Sequence, residues 1–217
     1  MAVGYDTGAG NGWGGGTTCD VTLTVAANSN RALTAKVSID ATASLSSVAY
    51  TSGSGDAWTS VGSQVSGDRK TYIYRSTNPS SGSVTVRFTF SLTFSGNFGR
   101  CRVDSYYNVD QTTPCDGFAS GGTVTSLAVT SAVGDAAVLV TAANTDIGTV
   151  TPGTTDETGT FYKMHRADGE ATVTFTWTNG SRSVSGCNIN AATGTVGPLI
   201  GGKLVGGGTL MRGRLIG

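Results

Sequence analysis

The sequence predicts an all-β protein in which two antiparallel sheets pack face to face as a single β-sandwich. Three observations carry this reading. Ser and Thr supply about a quarter of the 217 residues while glutamate occurs only twice, and Thr, Val and aromatics suit pleated surfaces where Glu and Lys suit helices. Apolar residues alternate with polar ones from residue 19 to about 191, the period of a strand with one buried face. Turn signatures interrupt that alternation at "TSGSGD", "SGDRK", "NPSSG", "AVGDA" and "ADGE", rich in the residues that accept turn backbone angles.

Taken in order, residues 1–17 read as a glycine-rich N-terminal arm. Its "GAGNGWGGG" has G-x-G spacing, but no strand precedes it and no helix follows, so it is not a phosphate-binding loop. Trp13 stands alone in the glycine run and is expected to anchor against a partner. The sandwich is expected to span residues 18–193. It opens on Cys19, Val21, Leu23 and Val25 facing inward, with Asp20, Thr22 and Thr24 opposite. In "RALTAKVSID", Leu33, Ala35, Val37 and Ile39 face the core, and Thr34, Lys36, Ser38 and Asp40 face away. "VTVRFTFSLTF" places Val84, Val86, Phe88, Phe90, Leu92 and Phe94 inside. "ATVTFTWT" buries Val173, Phe175 and Trp177 beneath outward threonines, and Asn179-Gly180 then predicts a hairpin turn. In all, about ten to twelve strands are expected, each with one buried face.

Fourteen basic residues balance fourteen acidic ones, so net charge gives the chain no pull toward nucleic acid or an anionic membrane. The longest apolar run, Ala136 to Val140, is too short to span a bilayer. "MAVGYDTGAGNGWGGG" lacks the basic and apolar regions of a secretory signal. A soluble protein finished in the cytoplasm of whatever cell makes it is expected. Cys19, Cys101 and Cys187 sit where small buried hydrophobes belong, and Cys115 lies in a proline-containing loop. No CxxC or Cys/His spacing marks a metal site.

No catalytic constellation is expected. The one histidine, His165, reads as a surface or edge residue without a nucleophile elbow to serve. The glutamates, Glu157 and Glu170, lie in turn-like segments and do not form the carboxylate pair of a glycosidase. "NTDIGTVTPGTTDETG", with Asp146, Asp156 and Glu157, lacks the calcium-loop rhythm and reads as a solvated loop. Neither cofactor nor metal is expected. Tyr72 and Tyr74 alternate with Ile73, a spacing open to core packing or to a glycan-binding face.

By "NSNRALTAKVSI", "LSSVAYTSG", "IYRSTNPSSGSVTVRFT" and above all "NVDQTTPCD", the chain resembles β-sandwich modules of a "VDQTTP" type found in tailed-phage structural proteins and bacterial surface proteins. Asn108 stands where such modules commonly carry a glycine or similar turn residue. The resemblance implies a jelly-roll or concanavalin-like sandwich used as a structural or binding module.

Residues 194–217 form a tail, "LIGGKLVGGGTLMRGRLIG" from residue 199 on, which looks like the C-termini of phage virion proteins. Apolar pairs recur at Leu199-Ile200, Leu204-Val205, Leu210-Met211 and Leu215-Ile216, with Lys203, Arg212 and Arg214 between them and no acidic residue. Glycine makes this segment costly to order alone. It is therefore expected to be held by partner chains or by the sandwich, and extended at ~3.3 Å per residue it reaches about 60 Å. These readings together predict a non-enzymatic phage virion protein, a capsid decoration or cement protein or a head or neck fibre component. It would be a dimer or trimer bound to the major capsid protein or other virion proteins through Trp13 and the tail residues. The alternative is a carbohydrate-binding receptor-recognition sandwich taking a surface glycan.

Overall fold

The computed structural model describes residues 1–13, 16–92 and 99–193. Every described regular element is a strand, and every sheet is antiparallel. In chain order they are β1 (Gly4–Trp13), β2 (Thr18–Val25), β3 (Ala32–Asp40), β4 (Leu45–Ser52), β5 (Thr59–Ser66), β6 (Arg69–Thr77), β7 (Gly82–Phe90) and β8 (Gly99–Tyr107). After the "VDQTTP" loop come β9 (Cys115–Gly121), β10 (Ser126–Thr130), β11 (Ala136–Ala142), β12 (Thr154–Gly159), β13 (Tyr162–Asp168), β14 (Thr172–Thr176) and β15 (Ser183–Ile189).

The sandwich has four layers where one buried face per strand implies two. A first outer sheet, β2-β7-β4, covers a first inner sheet, β1-β8-β3-β6-β5. A second inner sheet, β12-β13-β11-β15-β9, lies against the first and is capped by a second outer sheet, β10-β14. Three apolar cores fill the gaps. Val21, Val86 and Phe88 meet Leu33, Val37 and Val103 in the first. Ile73 and Tyr106 meet Val138, Val140 and Ile189 between the inner sheets. Leu139 and Val184 meet Val129, Phe175 and Trp177 in the last.

The central strands of the inner sheets are consequently covered on both sides. Leu33, Ala35, Val37 and Ile39 face the first core as expected, but Thr34, Lys36 and Ser38 on the other face are buried too. β11 and β15 are buried along their whole length. The outer sheets keep the simple alternation. Val173, Phe175 and Trp177 point in while Thr172, Thr174 and Thr176 are exposed.

Several local expectations change. Residues 4–13 are no arm: β1 is an edge strand paired with β8 from Gly4↔Tyr107 to Trp13↔Gly99, so the sandwich begins well before residue 18. Leu92 is 48% exposed, because β7 ends at Phe90, and Phe94 lies outside the described residues. Asn179-Gly180 is not a hairpin turn. β14 belongs to the outer sheet and β15 to the inner one, so the chain there turns a corner, with Asn179 Nδ2 donating to Asp146 O at 2.7 Å. The turn at "SGDRK" does close a hairpin, β5 to β6, through Gly67 at φ +58.

The "VDQTTP" loop carries the chain from the first pair of sheets to the second. Asn108 takes φ +58, a left-handed conformation that glycine or asparagine accepts readily, and its Nδ2 donates to Ala2 O at 3.1 Å. Asp110 Oδ1 accepts from the N–H groups of Thr112 (2.7 Å) and Thr113 (3.0 Å); those bonds hold its carboxyl below the usual pKa. Val109 pairs with Ala191, and Asp110 N–H donates to Asn190 O at 2.9 Å. The loop is thus pinned to the last strand.

Candidate functional site

The densest chemistry in the described residues is an ion cluster sealed between the inner sheets. On β8, Arg100, Arg102, Asp104 and Tyr106 share one face, and register sets Lys36 of β3 opposite Arg102. Lys36 Nζ lies 2.8 Å from Asp104 Oδ2 and 3.1 Å from Asp156 Oδ2, all three side chains fully buried. Arg102 Nε binds Asp104 Oδ1 at 2.7 Å, and its Nη1 stands 3.7 Å from Glu157. Arg100 pairs with Glu157 and Arg166 with Asp156. The Arg166 guanidinium lies 3.6 Å over the Tyr5 ring, and Tyr5 meets Tyr106 edge-on at 5.7 Å. Burial lowers the Lys36 pKa, and the neighbouring Asp104 carboxylate opposes that shift; burial raises that of Tyr106.

Two sequence features build this cluster. Asp156 and Glu157 are adjacent, so in a regular strand they would point to opposite faces. A bulge between Thr155 and Glu157 in the β12–β13 ladder aims both carboxylates at the first inner sheet. The expected solvated loop is therefore, at this point, an edge strand with two inward carboxylates, while Asp146 of the same run is exposed and takes a bond from Gly148 N–H. The second feature is the glycine period. A Cβ on Gly8 would collide with Asp104 and Arg102, and one on Gly10 with Glu157. G-x-G-x-G is the strand period itself, emptied of side chains so that β1 can lie over the ions.

Trp13 ends that strand 1% exposed and stacks on Phe90 with centroids 3.9 Å apart. Its Nε1 donates to Gly16 O at 3.0 Å. Trp13, expected at a partner surface, is thus buried in the chain's own core. The other expected partner-binding residues, Leu199, Ile200, Lys203, Leu204, Val205, Leu210, Met211, Arg212, Arg214, Leu215 and Ile216, lie outside the described residues.

His165 is fully buried, contrary to the expected surface position. Nε2 meets Pro152 O at 2.7 Å and Nδ1 meets Thr155 Oγ1 at 3.0 Å. A carbonyl only accepts, so the neutral ring carries its proton on Nε2. Burial lowers its pKa from 6.5, the Pro152 bond opposes this, and the Lys36 charge adds to the lowering. The unfolded chain then binds this proton more tightly than the folded one. His165 therefore contributes stability fully above pH 6.5 and loses it as pH falls from there toward the lower folded pKa. Denaturant midpoints measured from pH 7.5 to 5 are expected to fall, and His165→Gln to flatten that part of the profile; an unchanged slope in the variant contradicts the assignment.

Cys19, Cys101 and Cys187 are buried as expected. Cys115 opens β9 instead of lying in a loop, and the hydrogen bond between its thiol and Cys187, with burial, pushes the Cys187 pKa well up. Tyr72 and Tyr74 pack partly buried against the first core. No group of three or more metal-ligating side chains occurs among the described residues. Among the described residues, no helix is long and apolar enough to cross a membrane.

Chemically the cluster acts as a fastener. Four cations and three carboxylates from β3, β8, β12 and β13 pair with one another across the seam, with one positive charge in excess. Farther along the same seam, the Thr71 hydroxyl bonds those of Ser183 (3.1 Å) and Ser185 (2.8 Å). Comparison with protein-family models, curated proteins and solved structures finds no match to the chain.

Proposed function

We propose that this chain is a non-enzymatic structural protein of a tailed-phage virion, a capsid decoration or cement protein or a head or neck fibre component, fastened by its C-terminal tail. The observation that carries this reading is where the ends of the stack lie. The Met1 amino group meets Ala192 O at 3.5 Å, and Ala192 N–H bonds Asn108 O at 2.7 Å. The described chain therefore ends beside the N-terminus, at one pole of a stack whose central inner strands are buried on both faces. A rigid body with its adhesive segment issuing from one pole can be fastened there while its threonine-rich outer faces stay exposed. The "VDQTTP" resemblance adds support from the sequence side.

The test is deletion of residues 199–217. The truncated chain is expected to keep the circular dichroism and unfolding midpoint of the full chain while disappearing from assembled particles. Incorporation at normal levels would sink the tethering role.

A further inference from the structure

At that same pole the second outer sheet has an edge that no described strand fills. β14 pairs with β10 on one side only. On its other side Thr176 exchanges backbone bonds with Thr151 (2.7 and 3.0 Å), after which the chain turns away at Pro152-Gly153. Backbone direction alternates along a strand, so the N–H and C=O groups of Thr172 and Thr174 face the same open side as those of Thr176. They look into a groove of about 430 Å³ lined by Pro152, Gly153, Asp168, Glu170, Thr172 and Thr174, with Val173 at its base. Both charged side chains in its lining are acidic. The groove lies close to the origin of the tail: Gly169 N–H bonds Asp135 O (2.9 Å), and Val3 N–H bonds the adjacent Gly134 O (2.7 Å).

We propose that this groove receives the C-terminal segment, residues 199–217, of a second copy of the chain, which adds a strand to β14. Four matches select that occupant. Its backbone meets the open Thr172 and Thr174 groups, the mode by which extended peptides join sheet edges. Lys203, Arg212 and Arg214, with no acidic residue among them, complement Asp168 and Glu170. Its glycines let the strand approach closely, and its apolar pairs supply contacts beside Val173. Because donor and acceptor share one pole, two copies meeting there exchange tails reciprocally, and the contact closes as a dimer.

This inference rests on the tail being the fastening element, and a charge-swap experiment on the full chain tests it separately. Light scattering after gel filtration is expected to give a dimer for the unaltered chain and monomers for two variants, Asp168→Lys/Glu170→Lys and Lys203→Glu/Arg212→Glu/Arg214→Glu. Each is expected to raise the dimer dissociation constant by roughly 100-fold or more, since like charges across an interface suppress pairing. An equimolar mixture of the two variants puts opposite charges in both contacts and is expected to restore a heterodimer. A monomeric unaltered chain, variants that dimerise normally, or a mixture that stays monomeric each overturns the groove assignment. If tail deletion abolishes incorporation while the groove variant incorporates normally, the tether stands and the groove falls.

Discussion

Replacing Lys36 with alanine is expected to destabilise the fold by about 3–5 kcal/mol, the range seen when one partner of a buried ion pair is removed. Lys36 has two carboxylates within 3.1 Å, and neither its side chain nor theirs is solvent-exposed. Its loss leaves Asp104 to Arg102 and Asp156 to Arg166, each carboxylate short of one cation in a site where water cannot replace it. Lys36→Met, which fills the volume without the charge, is expected to remain destabilised, because cavity formation is only part of the cost. Urea midpoints of the two variants, with Lys36→Met/Asp104→Asn closing a comparison, measure this. A Lys36→Ala midpoint equal to that of the unaltered chain would show that the cluster does not hold the seam.

Trp13→Ala is expected to cost about 3–5 kcal/mol as well, as large-to-small changes in cores do. The indole is buried against Phe90 and bonded to Gly16 O, and it is the last residue of the strand that covers the ion cluster. Hydrogen exchange of the β1 amides separates local from global effects: Trp13→Ala is expected to expose them while leaving β11 and β15 protected. A variant of unchanged stability would return residues 4–13 to the status of an arm held by a partner.

The outer half of this architecture was legible in the sequence, and the inner half was not. Alternation tells which residues share a face but not what covers it. Val173, Phe175 and Trp177 read correctly because threonines opposite them do meet solvent. Thr34, Lys36 and Ser38 carry the same polar signature, yet they face another sheet, and hydroxyl and ionic contacts supply what apolar packing would elsewhere. β1 escaped recognition because a count of apolar residues cannot see Gly8, Gly10 and Gly12, whose missing side chains are the signal. Asp156-Glu157 depended on a bulge that no composition announces. Asn179-Gly180 has a hairpin's residues, but the outer strand has already ended at Thr176, Trp177 is tied by Nε1 to Val124 O, and the chain crosses to another layer.

The seam also bears on how the chain is made. β1 to β8 are contiguous and build the first pair of sheets before any strand of the second pair has been synthesised, and domains fold largely in order of synthesis. A half-finished chain thus presents to its surroundings the face that later meets the second inner sheet. Were that face wholly apolar, it would be a sticky surface on every nascent molecule. Much of it consists of Lys36, Arg100, Arg102, Asp104 and Thr71, groups that water solvates well until their counterparts arrive. The polar seam lets the first half wait in solution, and the second half completes it.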